Sequence, residues 1–171
     1  MASAGDLARA LAGVALTAAV VACAGGGRGS DAVAHVGQPA PDFTEPLAPS
    51  GTLSLSALRG HPVYLNFFAT WCPPCNDEAP AIEALQRRYA ARGLDVVGVD
   101  VLEDAAKAEQ FRSEHGLTYP EIVDSGALSR QYRIEGLPVH VFIDRGGVVR
   151  KIVVGQMSPS EMRDSVEALL R

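Results

Sequence analysis

The chain reads as an α/β protein, a central mixed β-sheet flanked by helices, and three features predict it. Residues 62–69, PVYLNFFA, form a nearly continuous apolar run, the pattern of a strand covered on both faces. Helical and strand patterns then alternate in the order β-α-β-α, which points to parallel neighbours in one sheet. Near the end, VHVFID and VVRKIVV flank RGG at residues 145–147 and predict an antiparallel hairpin.

The elements follow in chain order. Residues 10–22, ALAGVALTAAVVA, carry no charge and are too short to span a bilayer comfortably, but suit the apolar core of a secretory signal. Val20, Val21 and Ala22 ahead of Cys23 resemble a bacterial lipobox, whose cysteine becomes the lipidated first residue. An ordinary cleaved signal is the alternative, since ACA at 22–24 resembles its cleavage site. The expected organisation is a lipoprotein-type signal over 1–22, a Gly-rich tether over 23–35 and one folded domain over 36–171. Export places the chain where disulfides persist, lipid-anchored at the outer face of the cytoplasmic membrane or in the periplasm.

Four prolines within 37–51 favour extended and turn structure over helix, and TLSLSALRG reads as a short strand with a turn. After the apolar run, a helix is predicted from Cys72 to about Arg92, with Ile82, Leu85 and Tyr89 on one stripe and Gly93 as terminator. Residues 94–101 are a buried strand and 103–116 a helix closed by Gly116. A short helical piece is expected around 127–133. The last helix opens on Ser158 as N-cap, Pro159 at its first position and Glu161 completing a capping box. With 171 residues, 47% apolar and 20% charged, one compact core is expected. The net charge of −5 and the absence of Lys or Arg runs give no electrostatic footprint for nucleic acid.

Chemistry concentrates in NFFATWCPPCNDEAP, residues 66–80. Cysteines three apart at a helix start have Cβ atoms about 5–6 Å apart, close enough to cross-link with modest adjustment. Unpaired N–H groups and the helix dipole there favour thiolate over thiol. Cys72, at the exposed mouth of the turn, is the predicted nucleophile, and Cys75, deeper, the resolving thiol. Pro73 and Pro74 have no N–H to offer the Cys72 thiolate, which predicts a less acidic thiol than a strong oxidant has. A permanent structural disulfide would constrain little, because the loop is so short. A zinc site lacks its other ligands, since His35, His61, His115 and His140 show no metal-ligand spacing.

NFFATWCPPC, the CNDEAP that continues it and GLPVHVFID at 136–144 resemble the TlpA/ResA-like thiol-disulfide oxidoreductases of the thioredoxin superfamily. The likeness runs from about Val36 to Arg171, and residues 94–123 match that family's extra βα insertion between the CxxC helix and the cis-proline strand. It implies a thioredoxin-like fold and a redox-active Cys72–Cys75 pair with no other cofactor. It implies Trp71 beside the active site, Pro138 as a cis-proline and Leu137 as a backbone that pairs with substrate. Glu78 takes the place of the family's active-site glutamate. A carboxylate there would be partly desolvated and could accept a proton from Cys75, although by position alone a solvated acid at a helix start reads equally well. Asn66 stands where thioredoxin has a buried aspartate. Phe68, Val139 and His140 depart from the family pattern, and His140 reads either as a groove residue or as a histidine bonded into the sheet.

The function implied is exchange with disulfides of exported proteins, reductive in direction, with a membrane-bound thiol reductant as electron source and apocytochrome c among the client types. A copper-binding role for the reduced pair is the alternative, and a peroxiredoxin-type peroxidase a weaker one, as no PxxxTxxC pattern precedes Cys72.

Overall fold

The structure, a computed structural model, describes residues 33–171. The predicted signal segment and Cys23 lie outside the described residues. The elements are β1 (Thr44–Ala48), β2 (Thr52–Ser54), β3 (Val63–Phe68), α1 (Pro73–Tyr89), β4 (Asp95–Val101), α2 (Ala105–His115), β5 (Glu121–Asp124), α3 (Ala127–Gln131), β6 (Val139–Ile143), β7 (Val149–Val154) and α4 (Pro159–Leu169). The strands form one seven-stranded sheet in the order β2-β1-β5-β4-β3-β6-β7. β3, β4 and β5 are parallel, while β6 runs antiparallel to β3, and β7 to β6. This is the thioredoxin-like arrangement. The α2–β5 unit extends the sheet past β4, and β1 and β2 continue it beyond β5.

Strand alternation divides the core in two. Tyr64 and Phe68 of β3, Val96 of β4 and Phe142 of β6 pack with α1, α2 and α4 on one face. Val63, Leu65 and Phe67, with Val97, Val99, Val139 and Val141, pack with Leu128, Tyr132 and the amino-terminal segment on the other. Every residue of β3 is buried, as its apolar run predicts. Burying an aromatic side chain of this kind contributes about 1.5–3 kcal/mol.

The helix ends also follow from local chemistry. α1 passes into a short 3-10 turn, Ala90–Arg92, and stops at Gly93, whose φ of 88° is left-handed. The Asp104 side chain accepts the Lys107 N–H to cap α2, and Gly116 closes that helix with φ of 61°. α4 carries the predicted capping box between Ser158 and Glu161. Packing begins earlier than the boundary at Val36. Ala34, assigned to the tether from sequence, is buried, and its N–H donates to the Gln131 carbonyl at 2.9 Å. A small residue among Gly and Ala gives no periodic signal of burial. Among the described residues no helix is long and apolar enough to cross a membrane.

Candidate active site

The redox turn joins the carboxyl end of β3 to α1. Cys72 is the N-cap, with extended backbone, and Pro73 and Pro74 open the helix, where a missing N–H removes no helical bond. Cys72 and Cys75 are joined as a disulfide with their Cα atoms 5.3 Å apart. The Cys72 carbonyl accepts the N–H groups of Cys75 at 3.1 Å and Asn76 at 3.2 Å. Asn76 Nδ2 also donates to the carbonyls of Thr70 at 3.0 Å and Cys72 at 2.8 Å, and Asn76 Oδ1 lies 3.1 Å from His115 Nε2. On the β4 side, the Glu103 carboxylate accepts the Thr70 N–H at 2.6 Å and the Thr70 hydroxyl at 2.9 Å. The turn is therefore held from α1, α2 and the end of β4.

The two sulfurs are not distinguished by exposure. Cys72 was expected at an exposed mouth, but both cysteines are 3% exposed. The disulfide ties Cys72 to a residue one helical turn along, and both pack in the core on the α1 face. What is open at this edge is the adjacent indole, since Trp71 is 70% exposed. The Leu137–Pro138 bond is cis, as implied by the family likeness. Pro138 directly precedes β6, and Leu137 lies outside the sheet ladder, which starts at Val139.

Glu78 is buried, only 3% exposed, which rules out the solvated reading. It lies three residues after Cys75 on α1. Its Oε1 accepts the main-chain N–H of Met157, and its Oε2 lies 3.4 Å from His140 Nε2. Burial pushes the Glu78 carboxyl up to about 7, against the Met157 hydrogen bond that favours ionisation. His140 sits opposite Asn66 in the β3–β6 register and is fully buried. Its Nδ1 is 2.8 Å from the Tyr64 hydroxyl and 3.4 Å from Asn66 Nδ2. Burial lowers the His140 imidazole to about 4, so the ring is neutral at ordinary pH. The same burial, with Glu78 next, drives the Tyr64 phenol well above its ordinary value. His140 is the histidine bonded into the sheet and not a groove residue, and its other ring nitrogen lies against the Glu78 carboxyl.

Tyr64 and Met157 were not among the sequence candidates for this role. Tyr64 could have been found, because it shares the Asn66 face of β3 by alternation. Met157 contributes a main-chain N–H, which no side-chain pattern reveals. A second acid group also escaped sequence reading. Asp100 and Glu121 are fully buried; the Asp100 carboxyl meets that of Glu103, and the Glu121 carboxyl oxygens have no hydrogen-bond partner among the described residues. Burial, followed by the negative charge of Glu103 for Asp100 and of Asp100 for Glu121, pushes each to about 8. Among the described residues no group of three or more His, Cys, Asp or Glu side chains is arranged to hold a metal ion.

A strand ending in two sulfurs that can be joined or parted within one helical turn defines a thioredoxin-like thiol-disulfide oxidoreductase. The chain belongs to the Redoxin family, whose profile matches residues 35–170, and is a TlpA/ResA-like member of the thioredoxin superfamily. It is 37% identical to the thioredoxin-like protein YneN of Bacillus subtilis, over 77% of this chain and 78% of that one. It is 33% identical to the thiol-disulfide oxidoreductase ResA of Geobacillus thermodenitrificans, over 78% of each. The crystal structure of a thioredoxin-family thiol:disulfide interchange protein from Chlorobium tepidum superposes with a TM-score of 0.73. That match has 31% identity and covers 78% of this chain and 97% of the other.

Proposed function

We propose that this oxidoreductase works as a reductase of exported proteins, with Cys72 as nucleophile and Cys75 as resolving thiol. The observation that carries the reading is the buried Glu78 carboxyl, held by the Met157 N–H and poised near neutrality one helical turn beyond Cys75. In the dithiol state the Cys72 thiolate attacks a client disulfide, forming a mixed disulfide and expelling one client thiolate, which takes a proton from water. Glu78 accepts the Cys75 proton. The Cys75 thiolate then attacks Cys72 Sγ, closing the Cys72–Cys75 disulfide and expelling the second client thiolate. The client gains two electrons and this protein loses two, to be restored by a membrane-bound thiol reductant. Cys72 takes the nucleophile's role from its N-cap position beside Trp71, since exposure does not favour it.

Trp71, Leu137 and Pro138 form the edge that receives an extended client segment, apocytochrome c being one type of client. The apolar segment ahead of Cys23 supports export and lipid anchoring at the outer face of the cytoplasmic membrane. Mass spectrometry of the mature protein checks the anchor: an amino terminus other than lipid-bearing Cys23 removes it.

The reaction is tested by reduction of insulin disulfides. Cys72→Ala abolishes it, and Cys75→Ala traps a mixed disulfide through Cys72. Activity retained in Cys72→Ala overturns the assignment. Equilibration with a redox buffer checks the direction, with a potential expected nearer about −270 mV than about −120 mV.

A further inference from the structure

Two buried polar atoms in this protein, Glu78 Oε2 and His140 Nε2, lie 3.4 Å apart, and neither has another side-chain hydrogen-bond partner among the described residues. The other side of the imidazole explains the pairing. Nδ1 is approached by the Tyr64 hydroxyl at 2.8 Å and by the Asn66 amide nitrogen at 3.4 Å. An amide nitrogen can only donate, and a phenol that stays protonated has a proton to give, although its oxygen can also accept. Nδ1 is then the acceptor, and a neutral ring carries its single proton on Nε2, the atom 3.4 Å from Glu78 Oε2. The separation is longer than a good hydrogen bond, so the two atoms are in contact without a formed bond in this geometry.

We propose that His140 is a positioning residue for Glu78: its Nε2–H serves Oε2 as the Met157 N–H serves Oε1, so that the carboxylate is held from both sides and its proton affinity is set by His140. This rests on the reading that Glu78 accepts the Cys75 proton. Burial alone drives a carboxyl up and keeps it protonated at neutral pH, where it could take no proton from a thiol. Donors to the ionised form pull it back: the Met157 N–H does so, and a second from His140 would add to it.

The groups facing this pair come from every element packed around it. Asp77 on α1 adds negative charge near Glu78, and Tyr64 on β3 is coupled to the carboxyl. Around His140, a hydrogen bond to the Gly155 backbone favours a protonated ring and competes for its N–H, while Lys151 on β7 disfavours protonation, adding to the burial that keeps the ring neutral. Neutrality makes His140 a donor of fixed charge across the range in which Glu78 titrates.

The experiment is a carbon-13 NMR titration of the Glu78 carboxyl in the oxidised full chain, assigned by its loss in Glu78→Gln. His140→Leu removes the donor, and His140→Gln returns an N–H near the position of Nε2. A hydrogen bond to a charged group is worth enough to shift the midpoint by about one to two pH units. The Glu78 midpoint is expected to rise by that amount in His140→Leu and to return most of the way in His140→Gln. The acid limb of the disulfide-exchange rate should move up with it, slowing exchange about tenfold at pH 7 and recovering in alkali. An unmoved midpoint in His140→Leu, or a His140→Gln no closer to wild type than His140→Leu, overturns the proposal. A midpoint that moves while the exchange profile stays put overturns instead the proton-acceptor role of Glu78. Should His140→Leu fail to fold, nitrogen-15 shifts of the wild-type imidazole decide: protonated Nε2 and bare Nδ1 are expected, and the opposite tautomer overturns the proposal.

Discussion

At the scale of single residues, the pair Pro73 and Pro74 sets the character of the thiol ahead of it. Cys72 is the N-cap of α1, the position where a thiolate would ordinarily collect main-chain N–H groups. The first two helical positions have none to give. The next N–H, from Cys75, donates to the Cys72 carbonyl. The dipole of α1 remains, but its most direct donors are absent. Replacing Pro74 by Ala restores one N–H without changing the helical backbone, so the Cys72 thiol should become more acidic by about one pH unit. Thiolate absorbance during a pH titration of the reduced protein reads this, and the couple should become more oxidising in parallel. An unchanged thiol titration would show that the N–H of the second position does not reach the sulfur.

At the scale of elements, α4 influences the active site without contributing a side chain to it. Its capping box holds Ser158 and Glu161 together: the Ser158 hydroxyl accepts the Glu161 N–H, and the Glu161 carboxylate accepts the Ser158 N–H at 2.8 Å. The residue directly before the cap is Met157, whose N–H serves Glu78. Ser158→Ala should therefore destabilise the fold by about 1 kcal/mol, measured by urea unfolding, and shift the Glu78 titration upward as the Met157 N–H loosens. The cap itself was legible in SPSE, because capping is a local matter of side chain and neighbouring backbone. So were β3, α1, β4, α2 and the β6–β7 hairpin, whose periodicity is strong and whose ends carry Gly or Pro. β1 was not, since EPLAP with Pro46 and Pro49 reads as turn chemistry. Its pairing with both β2 and β5 decides the matter from outside the segment. The site divides along the same line. Cys72, Cys75 and Glu78 lie within one helix, and their spacing alone groups them. Tyr64 and His140 meet through the β3–β6 register, 76 residues apart in sequence, and nothing local announces such a meeting.

At the scale of the whole molecule, the sheet carries buried acid beyond Glu78, and stability should depend on pH in a direction opposite to that of ordinary carboxylates. Gly98 and Glu121 are partners across β4 and β5, and a Cβ at Gly98 would lie 3.1 Å from the Glu121 side chain. The missing side chain is what leaves Glu121 its place. Asp100 stands two residues further along β4, on the same face. Both acids are pushed to about 8 by burial, so between their unfolded values near 4 and that point the folded chain holds protons that the unfolded chain has released. Stability therefore falls as pH rises through this range and is lost fully only above the folded values. Other groups do not cancel it above pH 6.5. Glu83 and Glu103 are pushed up by burial but held below their ordinary range on balance by Arg87 and Thr118, and by Thr70 and Lys107. Their contribution is complete above the usual carboxylate range. His140, lowered by burial, adds only a remainder of about 0.4 kcal/mol above pH 6.5, and Glu78 acts in the same direction as the buried pair. The oxidised protein should melt several degrees lower at pH 9 than at pH 6.5, at about 2–4 °C per kcal/mol for a chain of this size. Glu121→Gln removes one of the two buried ionisations, so its melting temperature should vary less over the same interval. Thermal unfolding of the two proteins across that pH series is the measurement. A wild-type melting temperature that rises from pH 6.5 to 9 would mean that these acids are ionised in the folded state and find partners there.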